Sequence, residues 1–154
     1  PQIAPDFIRS SPLVDDAGWV DVDPATLSHR KFPNVWALGD VINTTNAKTM
    51  AAARKQAPVV AHNILVNLGM KRHQAVYNGY GSCPLTVERG KVVLAEFLYG
   101  GKLAPTFANW LLDGRRPSRL SWFLKEKILP PLYWHCMLKG REWFADTEVS
   151  QAEH

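Results

Sequence analysis

Cysteine is scarce in this sequence and long apolar runs are missing from it. The 154 residues include two cysteines, Cys83 and Cys136, which are too few for a disulfide framework and lack the spacing of a zinc site. The five histidines have no ligand spacing either, so we predict no metal centre. No apolar run approaches the ~20 residues that a membrane-spanning helix needs. These absences argue against a disulfide-rich domain, a zinc domain and a membrane-spanning segment.

The N-terminus has none of the features of a leader. The sequence starts at Pro1 rather than at methionine, and residues 1–5 carry neither a charged segment nor an apolar one, so no signal peptide is visible. We therefore expect the N-terminus to be a cut inside a longer protein. With 46% hydrophobic residues over 154 positions, the chain can bury one core.

Positive charge is concentrated near the C-terminus. The formal net charge is +4, and residues 113–144 hold seven Lys or Arg against three Asp or Glu, a difference of +4. Such a segment is typical of a surface that faces nucleic acid or an anionic membrane, and a solvated helix face carries similar charge. Charge alone leaves these alternatives open.

Local patterns in the first half predict short strands and one long helix. Residues 19–23 alternate as a short strand does, and the apolar run 35–38 predicts a buried strand that ends at Gly39-Asp40. Such an end is where ligands bind in open α/β sheets. Residues 49–68 carry apolar side chains at helical spacing, interrupted by Pro58, where we expect a kink.

A β-hairpin that carries Cys83 is predicted next. Two strand-like runs, 77–88 and 91–99, flank Arg89-Gly90, where glycine supplies the positive φ of a hairpin turn. Because Pro84 lacks a backbone donor, Cys83 should lie at a strand end, edge or bulge, where its sulfur can be reached. A reactive thiolate needs such exposure, although a lone cysteine before proline is more often an inert small hydrophobic residue.

The last third is helical and aromatic in pattern. Pro130-Pro131 should divide it into two short helices. Aromatic and basic residues at helical spacing are typical of helices that lie on a bilayer surface, and they are also common in helices that pack on a core. The aromatic members of the pattern are Phe107, Trp110, Trp122, Phe123, Tyr133, Trp134, Trp143 and Phe144.

Three of these blocks together resemble the sulfide:quinone oxidoreductases, FAD-dependent enzymes of the superfamily of flavoproteins with two dinucleotide-binding domains. Gly39-Asp40, followed by Lys48-Thr49 and an alanine-rich helix, resembles the second flavin-binding motif of that superfamily. Residues 77–85 around Cys83, together with 93–97, resemble the C-terminal redox-cysteine motif. Tyr133-Trp134 and its flanks resemble the membrane-binding end of these enzymes.

The resemblance implies a fold class and a domain division. The fold would be α/β, or α+β as an isolated fragment, and would form the C-terminal part of a Rossmann-like FAD/NAD(P)-binding flavoprotein. Residues 1–70 would be the remainder of the FAD-binding domain, and 71–104 the β-hairpin with the redox cysteine. Residues 105–154 would be amphipathic helices on the membrane and quinone side, with a tail.

The resemblance also implies site residues. Cys83 matches the later member of a catalytic cysteine pair whose other member lies upstream of this sequence, so Cys136 is expected to be a buried hydrophobic residue. Gly39, Asp40 and Lys48 would contact FAD. The residues expected on the quinone and membrane side are Trp122, Phe123, Tyr133 and Trp134.

The implied reaction is the two-electron oxidation of sulfide. Sulfide attacks a cysteine sulfur, a persulfide forms, and the electrons pass through FAD to ubiquinone or menaquinone. The fragment alone should be inactive, because the first glycine-rich phosphate loop and the partner cysteine are absent. Expected partners are the N-terminal remainder of the enzyme, a membrane surface and, in an oligomer, a second copy, but not nucleic acid. The expected location is peripheral, on a bacterial inner membrane, or on the mitochondrial inner membrane in a eukaryote.

Two other functions stay open. A type II NADH:quinone oxidoreductase, or another FAD-dependent disulfide reductase, would share the Gly39-Asp40 motif, but the former needs no cysteine at position 83. A non-catalytic module that binds a membrane or a partner would have Cys83 only by chance.

Overall fold

Helices and short antiparallel strands alternate along the chain, which the computed structural model describes over residues 2–106, 113–114, 116–141 and 148–149. The helices are α1 (Asp6–Arg9), α2 (Met50–Asn67), α3 (Arg119–Phe123) and α4 (Leu129–His135). The strands are β1 (Ala75–Val76), β2 (Gly81–Glu88), β3 (Lys91–Phe97) and β4 (Glu148–Val149). The architecture is therefore mixed, with helices beside small sheets, as the sequence predicts. The predicted aromatic positions 107, 110, 143 and 144 lie outside the described residues.

Helix α2 is the long helix that the spacing predicts. Its N-cap is Thr49, whose side-chain oxygen accepts a hydrogen bond from the Ala52 backbone N–H at 3.3 Å, as capping requires. It continues without interruption through Pro58 and ends before Gly69, which has a φ of +72°. Its buried face consists of Ala52, Gln56, Val59, Val60 and Asn63.

The segment before α2 is held by single backbone bridges rather than by regular strands. Val20 bridges both Val14 and Ile42, and Trp36 bridges Ser28. The prediction of a buried strand at 35–38 is wrong, since these residues are only partly buried. A strand buried on both faces needs a packing layer on each face, and among the described residues Trp36, Ala37 and Leu38 pack partly buried against a single core.

One apolar core joins this segment to α2 and to the start of the hairpin region. Its fully or nearly buried members are Val20, Val22, Leu27, Ile42, Val59, Val60, Ala75 and Tyr77. The Asn63 amide supports the core, because it donates to the Thr26 carbonyl at 2.9 Å and the Ala75 carbonyl at 3.0 Å and accepts from the Ala75 N–H at 2.8 Å. Buried amides of this kind are stable only when they are fully paired.

Strands β2 and β3 form the predicted antiparallel hairpin. Cys83 pairs with Ala95 and Pro84 with Leu94, and Gly90 adopts a φ of +84° in the turn. Within the described residues β2 has no second strand beside it, so the prediction that Cys83 lies on an edge is confirmed. The separate β1–β4 pair is also antiparallel.

The C-terminal helices form one helical run, and the predicted break at Pro130-Pro131 is wrong. A π-helical turn, Leu124–Ile128, joins α3 directly to α4. The two prolines lie in the first turn of α4, where a missing N–H group is tolerated, and the wide π turn absorbs the misfit. Among the described residues, no helix has both the length and the apolar character required to cross a membrane.

The two arms of the hairpin come into close contact at their base, where Gly79 lies against Tyr99, a residue that packs on the apolar core. Gly79 is buried with a φ of +85°, and a Cβ placed on it would lie 2.3 Å from Cγ of Tyr99 and 2.5 Å from the Tyr99 backbone nitrogen. The Tyr99 ring is itself fixed by packing edge-on against Tyr77, with centroids 5.7 Å apart, and by donating to the Pro24 carbonyl at 2.8 Å. Glycine is therefore required at position 79 for two separate reasons.

We predict that Gly79→Ala lowers the free energy of unfolding by about 3 kcal/mol or more, the sum of an unfavourable φ and an overlap with Tyr99. Gly90→Ala is the control, because Gly90 has nearly the same φ of +84° but open space around its Cβ position. It should cost only about 1–2 kcal/mol. Urea unfolding followed by circular dichroism measures both, and equal losses would contradict the close approach at Gly79.

Candidate functional site

The Gly39-Asp40 turn is open on one side and fixed on the other. Gly39 has a φ of +78°, and the space around its Cβ position is empty to 4 Å. Its backbone N–H donates to Oε1 of the buried Gln56 at 2.7 Å. Asp40 follows in a short 3₁₀ turn, Gly39–Val41, with its side chain exposed. A ligand can therefore reach both the backbone of the turn and a free carboxylate.

Lys48 lies close to this turn and is partly withdrawn from solvent. Its Nζ donates to the Ile42 carbonyl at 2.5 Å and lies 4.4 Å from the centre of the Trp19 ring, an arrangement that stabilises a cation. Burial lowers the pKa of Lys48, and the nearby Asp40 carboxylate opposes that shift. The structure thus brings Lys48 and Asp40, which the sequence assigns to one site, into electrostatic contact.

These three residues fit part of a flavin site. A glycine turn without a side chain lets a ligand approach the backbone, a carboxylate accepts hydrogen bonds from ribityl or ribose hydroxyls, and an ammonium group attracts phosphate. Gly39, Asp40 and Lys48 provide these groups next to one another. They would hold FAD, which supplies two-electron redox chemistry when it is bound.

Cys83 lies in the middle of β2 and is half-buried, with a free thiol. Side chains alternate across a strand, so Cys83 shares a face with its partner Ala95, while the neighbouring pair Ser82 and Glu96 is on the opposite face. The thiol therefore projects from one face of the hairpin, and its partial exposure allows a second group to approach it there.

The start of β2 packs directly on the loop that carries Lys48. A Cβ placed on Gly81 would lie 3.3 Å from Cβ of Ala47 and 3.4 Å from its carbonyl oxygen. Gly81 is two residues before Cys83, and Ala47 immediately precedes Lys48. The contact places the start of the cysteine strand against the loop that carries Lys48.

Tyr80 fixes the backbone just before Gly81. Its carbonyl accepts from the Tyr77 hydroxyl at 2.5 Å, and its own hydroxyl donates to Oε1 of Glu96 at 2.6 Å. Burial raises the pKa of Tyr80, and the hydrogen bond to Glu96 raises it further, so the hydroxyl stays protonated as a donor. The Thr106 backbone N–H donates to the other Glu96 oxygen at 2.9 Å, which satisfies the buried carboxylate.

Lys125 connects the C-terminal helical run to the cysteine strand. Its Nζ donates to the carbonyl of Pro84 and to Oγ1 of Thr86, both at 2.9 Å. Pro84 is the residue after Cys83, so a cation is held beside the strand at that point.

The four aromatic residues predicted on the quinone and membrane side divide into two groups. Trp122 packs with Leu124 against Val92 and Leu94 of β3, and its Nε1 donates to Glu126 at 2.9 Å. Phe123 is 52% exposed and Trp134 62% exposed, while Tyr133 packs edge-on against Trp134. Trp122 is thus turned toward the sheet. Phe123 and Trp134 lie on the solvent-exposed side of the helices, called the outer side below, and Tyr133 packs beside Trp134.

The outer side also exposes aliphatic residues, in the company of cations. The large hydrophobic side chains that are exposed on residues 116–141 are Leu120, Phe123, Ile128, Trp134 and Leu138. Lys127 and Lys139 lie among them and are also exposed. Cys136 is half-buried rather than buried as predicted, because the helical run packs on the rest of the chain along one side only.

Sequence reasoning did not identify Gln56, Tyr77 or Tyr80 as parts of the site. A glutamine in an otherwise small and apolar stretch of helix was a usable signal, since buried amides need a specific partner. The two tyrosines carry no such signal, because their hydroxyl partners are distant or backbone groups that only the fold brings close.

Comparison with known proteins shows that this chain is similar to sulfide:quinone oxidoreductases. The mitochondrial enzyme of Schizosaccharomyces pombe is 40% identical over 141 residues, covering 90% of this chain and 31% of the relative. The mitochondrial enzymes of Mus musculus and Dictyostelium discoideum are 39% and 42% identical, each with 30% of its length covered. The predicted resemblance is confirmed, and the chain spans about 30% of the length of these relatives.

No family model matches the chain. Among solved structures, a chain of the Tetrahymena thermophila mitochondrial ATP synthase F1Fo tetramer is similar, with a TM-score of 0.67 and 26% identity. The match covers 83% of this chain and 31% of the Tetrahymena chain. The fold described above therefore also occurs in a chain of a large mitochondrial assembly.

We predict that Lys125→Met lowers the free energy of unfolding by about 1–2 kcal/mol, because the Pro84 carbonyl and the Thr86 hydroxyl both lose a charged donor. Lys127→Met is the control, since Lys127 is exposed and its only described ion pair is with the adjacent Glu126 at 3.8 Å. It should change stability by no more than about 0.5 kcal/mol. Urea unfolding tests both, and a Lys125 variant as stable as the control would contradict the attachment of the helices to β2.

Proposed function

Because the chain is similar over 90% of its length to sulfide:quinone oxidoreductases, we propose that it is the C-terminal part of such an enzyme. The observation that supports this most is the packing of Gly81 on Ala47, which joins the Cys83 strand to the loop that carries Lys48. A redox cysteine and a flavin can exchange electrons only if the protein holds them together. The remaining Rossmann-like part and the partner cysteine would lie elsewhere in the enzyme.

In the proposed reaction Cys83 begins in a disulfide with its partner cysteine. Hydrosulfide attacks this bond, one cysteine leaves as a thiolate, and the other keeps the incoming sulfur as a persulfide. The sulfide sulfur loses two electrons in this step, and they reside on the released thiolate. A bound FAD would supply the acceptor for this electron pair and the route to quinone. Cys83 is only half-buried, which leaves its sulfur open to the partner cysteine, and Lys125 fixes the strand just beyond it at Pro84.

The carboxylate and the ammonium of the turn have binding roles in this proposal. Asp40 accepts hydrogen bonds from hydroxyls of the cofactor, and Lys48 offsets negative charge. The indole of Trp19 and the Ile42 carbonyl hold the Lys48 ammonium in place. Gly39, without a side chain, leaves the approach open.

The C-terminal helical run would bind the membrane and border the quinone. Exposed rings at Phe123 and Trp134, with Lys127 and Lys139 nearby, suit a helix that lies among lipid head groups. Tyr133 joins this group, whereas Trp122, turned toward β3, would line the quinone path from the inner side. A second copy could cover part of the same surface in an oligomer.

The location we propose is the mitochondrial inner membrane, as a peripheral protein. The three relatives described above are mitochondrial enzymes by name. They give no support to the expected bacterial inner membrane. The sequence patterns could not separate the two locations, because anionic lipids attract the same basic helices on either membrane.

A second candidate is a non-catalytic part of a membrane assembly. It is favoured by one observation, the similarity to a chain of the Tetrahymena ATP synthase. In that case the Cys83 strand and the Gly39 turn would be kept for packing alone. Absence of bound flavin in the full-length protein would favour this candidate over the enzyme.

We predict that Cys83→Ser in the full-length protein keeps folding and flavin content but abolishes reduction of the flavin by sulfide, because a hydroxyl cannot carry sulfane sulfur. Cys136→Ser is the control, and its turnover should stay within about threefold of the parent, since Cys136 packs in a helix far along the chain. Stopped-flow absorbance after mixing with sulfide measures both. Normal bleaching in the Cys83 variant would favour the type II NADH:quinone oxidoreductase alternative.

We predict that the protein binds anionic vesicles, and that binding weakens as salt rises, because attraction between charged surfaces is screened over about 8 Å at physiological ionic strength. Replacing both Phe123 and Trp134 with serine should reduce binding even at low salt, since these rings are exposed on the outer side. Cosedimentation with vesicles of phosphatidylserine and phosphatidylcholine is the measurement. Unchanged binding in the double variant would show that the helical run does not face the membrane.

A further inference from the structure

Gln56 has an environment that packing alone does not explain. It is 0% exposed and lies on the buried face of α2, yet it is polar, and its neighbours on that face include Ala52, Val59 and Val60. Burying an amide is unfavourable unless it is paired. One half of the amide is paired, since Oε1 accepts the Gly39 N–H at 2.7 Å.

This hydrogen bond holds a backbone that has few other restraints. Gly39 has no side chain, and its φ of +78° is one of several conformations a glycine can adopt. Leu38 before it is extended and forms no side-chain cap for the Gly39–Val41 turn. Because Gln56 is on the long helix α2, its amide fixes the position of the turn relative to that helix. It therefore also fixes the position from which the Asp40 side chain extends.

The other half of the amide is not paired, since Nε2 is buried and has no hydrogen-bond partner among the described residues. On the same helix, Val59 and Val60 pack in one core with Tyr77. The Tyr77 hydroxyl donates to the Tyr80 carbonyl at 2.5 Å, directly before Gly81. Helix α2 thus connects the turn that carries Asp40, through Gln56, with the turn that leads to Cys83.

We propose that Gln56 is a positioning residue of the flavin site, which fixes the Gly39-Asp40 turn relative to the Tyr77–Tyr80 turn. The inference rests on the proposed function, because it assigns Gln56 a role in binding FAD. Gln56 acts through the Gly39 backbone, so its loss should loosen the turn and weaken the cofactor even when the fold survives.

The same helix offers a matched control. Asn63 is also a buried amide, 3% exposed, but its partners are the Thr26 and Ala75 backbones, away from the Gly39 turn. Asn63→Leu removes buried hydrogen bonds and should destabilise the fold without moving the turn. Gln56→Met removes the bond to Gly39 at nearly constant shape, and Gln56→Glu retains an acceptor for the Gly39 N–H.

The test uses the full-length protein and titrates FAD into the apoprotein of each variant. Gln56→Met should raise the Kd for FAD about tenfold, whereas Gln56→Glu and Asn63→Leu should stay within about threefold of the parent. The positioning role is overturned if Gln56→Met binds no more weakly than Asn63→Leu, or if Gln56→Glu binds as weakly as Gln56→Met. A parent protein that binds no FAD would instead refute the proposed function.

Hydrogen exchange of the unsubstituted protein gives a test that needs no variant. The Gly39 amide should be protected from exchange to a degree similar to the amides of α2, because its acceptor is fully buried on that helix. An amide that exchanges as fast as that of Asn34, in the exposed neighbouring loop, would overturn the proposal, whether or not the Gln56 variants fold.

Discussion

Close contact between two backbones is the constraint on which the proposed site depends. The two arms of the hairpin meet at their base, where Gly79 lies against Tyr99, and Gly81 lies against Ala47 of the loop that carries Lys48. A Cβ at Gly79 would overlap the Tyr99 ring, so the arms of the hairpin would have to separate at their base. Cys83 would then lose its fixed relation to Lys48 and Asp40. Gly79 and Gly81 therefore determine where the larger side chains of the proposed site lie.

Hydrogen bonds of buried polar groups stabilise that contact. Unlike apolar packing, these bonds also fix the orientation of the groups that they join. Gln56 fixes the Gly39 turn, Tyr77 fixes the Tyr80 carbonyl, and Glu96 holds the Tyr80 hydroxyl. Such bonds contribute about 1 kcal/mol each to stability, but leaving one partner buried and unpaired costs more. The network therefore restricts the site to one arrangement. The C-terminal helical run adds a further restraint, because Lys125 holds it to the strand beyond Cys83.

Sequence patterns predicted the parts of this structure that depend on near neighbours. The helix at 49–68, the hairpin turn at Gly90 and the edge position of Cys83 follow from capping, turn chemistry and the missing N–H of Pro84. Predictions failed where distant groups decide the result. The run at 35–38 is only partly buried because the described residues pack it against a single core, and Pro130 and Pro131 are accommodated by a π turn that no local rule indicates. The partners of Gln56 and Tyr80 likewise become visible only in the fold.

We propose that Cys83 receives the sulfur of sulfide next to the flavin site. Mass spectrometry of peptides from the full-length protein, alkylated after brief exposure to sulfide without quinone, tests this proposal most directly. We predict that the Cys83 peptide, alone or linked to its partner cysteine, gains the mass of one or more sulfur atoms. The Cys136 peptide should not gain this mass. An unmodified Cys83 in a protein whose flavin has been reduced by sulfide would contradict it.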